Sequence, residues 1–216
     1  NIRELEQLLS QTWNTSTSNL PFCGGWIGFA SYELAYLLEA ALQKPPHPPV
    51  LPEIFAGYYA WAIVQDNQTR QAFLVFDKDI QPALLDRVHN QLQKATPESG
   101  FRLTSAFSRN ITLHQYRQQF EQIQHYLNAG DCYQVNLAMA YHATYQGSPF
   151  SAYQQLRQSV PSPHMAFLNL GKQQILSISP ERFISAQQKC ITTRPIKGTA
   201  ARSNDPATDR QAAREL

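Results

Sequence analysis

Two short segments hold the residue types that could do chemistry. Ser179-Pro180-Glu181-Arg182-Phe183 offers a carboxylate, and Arg194-Pro195-Ile196-Lys197-Gly198-Thr199 offers an amine sixteen positions after it. A neutral lysine amine is a nucleophile, and a glutamate beside it can give or take a proton. Pro180 and Pro195 fix φ just before the reactive positions. Gly198 lets the main chain approach a ligand closely, and Thr199 adds a hydroxyl and an N–H that suit an anion. Spacing alone leaves a plainer reading open, because Pro-Glu and Lys-Gly pairs near strand ends are commonly solvated turn residues.

The elements around these segments read as short strands. Met165–Leu170, Ile175–Ser179, Arg182–Ala186 and Cys190–Arg194 follow one another, with turns at Gly171-Lys172 and Gln187-Gln188. Strands so close together pair antiparallel, since a parallel crossover needs a dozen residues or more. Upstream, 149–159 reads as a short helix. The clearest helix covers 113–128, with Leu113, Tyr116, Phe120, Ile123 and Leu127 on one face, expected to pack on the core. Thr112 and Gln115 match a capping box, and Gly130 supplies the stop. The alternation from Cys132 to Tyr145 predicts a strand with both faces partly buried, so Gln134 and Asn136 would need hydrogen-bond partners.

In the first half, Ile2–Leu9 reads as an amphipathic helix and 14–19 as a polar loop. Gly24-Gly25-Trp26-Ile27-Gly28-Phe29 predicts a glycine-rich strand running into a helix over 32–41. Neither GxxxxGK[ST] nor GxGxxG is present, so the glycines serve close strand packing rather than phosphate. Pro45, Pro46, Pro48, Pro49 and Pro52 make a stiff surface excursion. Strands follow at Ile54–Val64 and Ala72–Phe76 across an Asp66-Asn67 turn, and Pro82 opens a helix to about Lys94. Helices and antiparallel strands without βαβ alternation indicate an α+β fold.

Composition narrows the function classes. The 216 residues carry a net charge of only +2, with no run of like charges, which argues against nucleic acid. No apolar run approaches the ~18 residues of a membrane span, and the polar start does not resemble a signal peptide. Cys23, Cys132 and Cys190 form neither a disulfide framework nor a CxxC metal motif, which fits a reducing, cytoplasmic compartment. The three Asn-x-Ser/Thr matches, at Asn14, Asn67 and Asn110, therefore read as chance. Residue 1 is not methionine, and the segment after Asn204 starts as a helix, with Asp205 as cap and Pro206 in the first turn, but has no C-cap. The expectation is an internal piece of a longer protein, inactive by itself.

Four segments in order resemble the chorismate-utilising enzymes, and most closely their aminodeoxychorismate synthase component I branch. They are Pro21-Phe22-Cys23-Gly24-Gly25-Trp26-Ile27-Gly28, Gly130-Asp131-Cys132-Tyr133-Gln134-Val135-Asn136, and the two reactive segments 179–183 and 194–199. Anthranilate synthases resemble Pro-Ile-Ala-Gly-Thr at the last of these; Lys197 stands at the alanine position here. The resemblance implies an incomplete anthranilate synthase component I-like α+β fold, with mostly antiparallel, sandwich-like sheets and helices packed outside. Residues 1–216 would be one incomplete domain, with 1–110 its N-terminal sheet part and 111–216 the first part of the chorismate-binding catalytic region.

It also implies roles. Lys197 would be the covalent nucleophile and Glu181 the general acid/base, while Gly198 and Thr199 would bind chorismate. Mg2+ would neutralise a substrate carboxylate through ligands in segments beyond Leu216, so no metal ligand is expected in this chain. A glutamine amidotransferase subunit would supply ammonia, and the product would lead to 4-aminobenzoate for folate. Pro163, His164 and Met165 resemble one wall of the family's tryptophan pocket; a plain Pro-rich turn before a core strand is the alternative. Three other readings stay open: an anthranilate synthase component I, a non-catalytic tryptophan-binding module, and a structural domain with inert motifs.

Overall fold

Every strand among the described residues pairs in a two-stranded antiparallel ribbon. The structure, a computed structural model, describes residues 20–42, 49–94, 99–187, 189–196 and 199–215. The expected helix at Ile2–Leu9, the loop at 14–19 and part of the proline excursion lie outside these residues. Contacts divide the chain into two units, Asn1–Thr96 and Pro97–Leu216.

In the first unit, β1 (Gly25–Ala30) pairs with β2 (Ile54–Tyr59), and β3 (Trp61–Asp66) pairs with β4 (Gln71–Phe76). Directly opposed rings join the first ribbon: Trp26 meets Tyr58 edge to face at 5.6 Å, and Phe29 stacks on Phe55 at 6.0 Å. Gly28 is required there, because a Cβ would overlap the carbonyl oxygen of Phe55. The glycine-rich segment thus serves strand packing, as its sequence suggests. The strand expected over Ile54–Val64 is two strands, broken at Ala60, whose carbonyl accepts from the Asp77 N–H at 2.7 Å. The Asp66 turn is as expected: its Oδ1 accepts from the N–H groups of Gln68 and Thr69 at 2.8 and 3.2 Å. The helix expected over 32–41 is shorter. A 3₁₀ turn at Tyr32–Leu34 leads into α1 (Ala35–Leu38), where no side chain caps the start and Glu39 is already extended. α2 is Pro82–Leu92.

In the second unit, α3 (Leu113–Ala129) has the expected capping box between Thr112 and Gln115, and Gly130 stops it in the left-handed region at φ 81°. Its apolar stripe is not a core face: Leu113 and Phe120 are exposed, and only Tyr116, Ile123 and Leu127 are half-buried. The strand expected over 132–145 is also absent before Tyr141. β5 (Phe101–Leu103) pairs with β8 (Tyr145–Gly147), and β6 (Ser108–Arg109) with β7 (Tyr141–His142). Tyr133 is 95% exposed, and Gln134 and Asn136 are exposed rather than held in a buried face. Alternation becomes a strand only where a neighbour completes the ladder. Ala140 still bonds to Asn110, its carbonyl accepting the Asn110 N–H at 3.0 Å, and residues 133–139 lie in no ladder among the described residues.

The packed part of this unit is α4 (Pro149–Ser159) against the ribbon of β9 (His164–Asn169) and β10 (Gln174–Ser179). Phe167 of β9 meets Phe150 edge to face at 5.2 Å and Tyr153 at 5.6 Å. Ala152 and Tyr153 are buried, and the Arg157 guanidinium lies 5.8 Å from the Tyr153 ring centroid. Each aromatic pair adds about 1 kcal/mol beyond the area it buries. β11 (Ser185–Gln187) and β12 (Cys190–Thr192) follow, and α5 (Pro206–Glu215) is last. The mixed α+β class and the antiparallel pairing agree with the sequence reading.

Candidate active site

Glu181 lies in the segment that connects two hairpins. β10 ends at Ser179, directly opposite His164, and Ile178 lies opposite Met165. Pro180 then turns the chain into Glu181. Three hydrogen bonds hold this corner. The Ser162 hydroxyl donates to the Ser179 carbonyl at 2.5 Å. The Ser179 hydroxyl donates to the Glu181 carbonyl at 2.8 Å and accepts the Glu181 N–H at 3.3 Å. Ser162, Ser179 and Glu181 are all half-buried. Pro163, His164 and Met165, singled out from sequence, therefore stand at the same end of the β9–β10 ribbon as the candidate acid. His164 and Met165 are half-buried and Pro163 is exposed.

The second hairpin links the two reactive segments. In β11–β12, Ser185 pairs with Thr192, so residues 181–184 and 193–196 leave the ribbon from one end. Beyond the last ladder pair, Thr193 Oγ1 donates to the Phe183 carbonyl at 2.9 Å. The turn carries Lys189 at φ 66°, one residue past the expected Gln187-Gln188. Ser185–Gln187 and Cys190–Thr192 are shorter than the strands expected, because residues 182–184 and 193–194 run outside the ladder. Lys197 and Gly198 lie outside the described residues; Thr199 is exposed. Arg182 Nε, next to Glu181, is buried and without a hydrogen-bond partner among the described residues.

Past Thr199 the chain is tied down by Asp209. Its Oδ1 accepts from Arg202 Nε at 2.7 Å and from the Ser203 N–H at 3.1 Å, and its Oδ2 accepts from the second Arg202 nitrogen at 2.9 Å. The bidentate Arg202 bond and the Ser203 N–H hold the Asp209 carboxyl below its ordinary value. Asp205 caps α5 as expected, accepting from the Thr208 N–H at 2.8 Å and from its hydroxyl at 2.6 Å.

Ser162, Ser179 and Asp209 carry no role in the sequence analysis, although Ser179 stands in the 179–183 segment. A Ser before Pro, two residues from the group of interest, is a signal for a side-chain bond to the backbone, which would have flagged Ser179. Asp209, seven residues from Arg202 across a loop, had no such signal. No group of three His, Cys, Asp or Glu side chains that could hold a metal exists among the described residues. No helix among them is long and apolar enough to cross a membrane.

Comparison with known proteins bears on the family and the fold. The chorismate binding enzyme family matches residues 1–216. Aminodeoxychorismate synthase component 1 of Escherichia coli (strain K12) is 40% identical over 217 residues, covering 100% of this chain and 47% of that protein. The Klebsiella aerogenes protein of the same name is 41% identical over 191 residues, covering 88% and 42%. The crystal structure of anthranilate synthase component I from Streptococcus pneumoniae TIGR4 superposes with a TM-score of 0.76 at 26% identity, covering 87% of this chain and 46% of that one. The chain thus spans about half the length of the relatives it matches.

Proposed function

The chain belongs to the chorismate binding enzyme family, and on that premise we propose that it is part of an aminodeoxychorismate synthase component I. The observation that carries this reading is Lys197 in Pro195-Ile196-Lys197-Gly198-Thr199, sixteen residues after Glu181. The reaction replaces the 4-hydroxyl of chorismate by an amino group at the same carbon, with retention. Two successive displacements achieve this. Neutral Lys197 Nζ forms a bond to C2; both ring double bonds shift by one position, and the C4–O bond breaks as Glu181 gives the departing hydroxyl its proton, releasing water. Ammonia then bonds to C4, both double bonds shift back, and the C2–N bond breaks, returning the lysine amine. The excess protons on nitrogen pass to Glu181 and solvent, so the sum is chorismate plus ammonia to 4-amino-4-deoxychorismate plus water.

The described geometry supports this division of labour. Glu181 and the strand leading to Lys197 leave one end of a single hairpin. Gly198 and Thr199 would give a substrate carboxylate N–H and hydroxyl donors. Pro163, His164 and Met165 would form one wall of a tryptophan site at the neighbouring hairpin end. Ammonia would come from a glutamine amidotransferase subunit, the partner that a component I requires. Magnesium, implied by the family, has no ligand set among the described residues.

Direct addition of ammonia at C2, the anthranilate route, gives Lys197 no task. Product identity therefore tests the reading. The full-length chain with chorismate, ammonia and magnesium is expected to release 4-amino-4-deoxychorismate; anthranilate as the product would overturn it.

A further inference from the structure

We propose that Ser179 is a positioning residue for Glu181, with Ser162 as its outer support; this rests on Glu181 being the acid. One hydroxyl occupies both backbone polar groups of Glu181: Ser179 Oγ donates to its carbonyl at 2.8 Å and accepts its N–H at 3.3 Å. A serine hydroxyl has one donor and two acceptor sites, so these two bonds use its only proton. Pro180 between them fixes φ and has no N–H to compete. The main chain at Glu181 is thus closed into a small ring, and only side-chain rotation is left to aim the carboxyl.

The ring is itself fastened. The Ser162 hydroxyl donates to the Ser179 carbonyl at 2.5 Å, joining the 161–163 turn to the end of β10. Ser179 is also held by its ladder position opposite His164. Both serines are half-buried, where water competes less for these bonds. A displacement of the acid by about 1 Å is enough to cost up to about a hundredfold in rate while leaving substrate binding intact.

The test compares Ser179→Ala, Ser179→Thr, Ser162→Ala and Glu181→Gln in the full-length chain supplied with chorismate and ammonia. Ser179→Ala is expected to lower kcat per folded molecule by about tenfold to a hundredfold with KM for chorismate nearly unchanged, the folded fraction being fixed by denaturant melts so that loss of active protein is not counted as loss of kcat. Ser179→Thr, which keeps the hydroxyl, is expected to restore most of kcat. If Ser179→Ala does not fold, Ser162→Ala decides: a several-fold fall in kcat at constant KM is expected, and an unchanged kcat overturns the proposal. Glu181→Gln separates the two layers. Full activity there overturns the acid assignment and the positioning role with it. A large loss there, beside full activity in folded Ser179→Ala, overturns the positioning role alone.

Discussion

The two hairpins joined by the segment holding Glu181 are built differently. β9–β10 has six ladder pairs and packs Phe167 against Phe150 and Tyr153 of α4. β11–β12 has three pairs, with Ile191 72% exposed and the neighbouring Phe183 87% exposed. The candidate acid therefore hangs from the packed ribbon, through Ser179 and Ser162. The segment leading to the candidate nucleophile leaves the exposed ribbon, held by the Thr193–Phe183 bond on one side and the Asp209 clamp on the other. In this arrangement the placement of the acid is set within residues 161–181, whereas the approach to Lys197 depends on contacts from both sides of it.

The largest effect should come at the junction itself. Glu181→Gln in the full-length chain is expected to lower kcat by about 10²- to 10⁴-fold, the usual worth of a positioned proton donor. A loss below tenfold in steady-state assays would detach the chemistry from this corner. Next, Phe167→Ala should destabilise by about 3 kcal/mol, by removing the ring between β9 and α4, while Ile191→Ala should cost no more than about 0.5 kcal/mol. Denaturant melts giving equal costs would break the contrast between the hairpins. Amide hydrogen exchange sharpens the same point: Met165–Leu168 and Ile175–Ile178 should exchange more slowly than Ser185–Gln187 and Cys190–Thr192.

The smallest effect concerns acid stability. Asp209 has its pKa lowered in the folded chain, first by the Arg202 bond and then by the Ser203 N–H. The folded state thus binds fewer protons than the unfolded one. The stabilisation is fully present above the unfolded value of about 3.9 and is lost as pH falls through the lower folded value. Asp209→Asn should flatten the dependence of the melting temperature on pH below about 4, and an unchanged profile would remove Asp209 from the account. Because Arg202 is solvent-exposed and Asp209 only half-buried, salt should weaken the pair too.

What could be read beforehand follows the range of the interactions. The cap of α3 was legible because Thr112 and Gln115 are three residues apart and bond to each other's backbone. The Asp66 turn and the Asp205 cap are equally local. The stretch 132–140 was misread because a strand is a property of two segments, and alternation in one says nothing of the other. The stripe on α3 failed for the same reason: Leu113 and Phe120 need a facing surface that the helix cannot specify. At the site, the types and spacing of Glu181 and Lys197 were visible, since one short hairpin separates them. The Ser179–Glu181 bonds are local and had a signal of their own, but the Ser162–Ser179 bond did not, because two serines seventeen residues apart become neighbours only through the register of β9 with β10.

The central claim is that Lys197 attacks chorismate covalently. Its most direct test is intact mass spectrometry of the full-length chain with chorismate and magnesium but no ammonia, followed by peptide mapping. The account predicts a chorismate-derived mass on the peptide containing Lys197, absent in Lys197→Ala. Chorismate bound without any adduct, or an adduct that persists in Lys197→Ala, would contradict it.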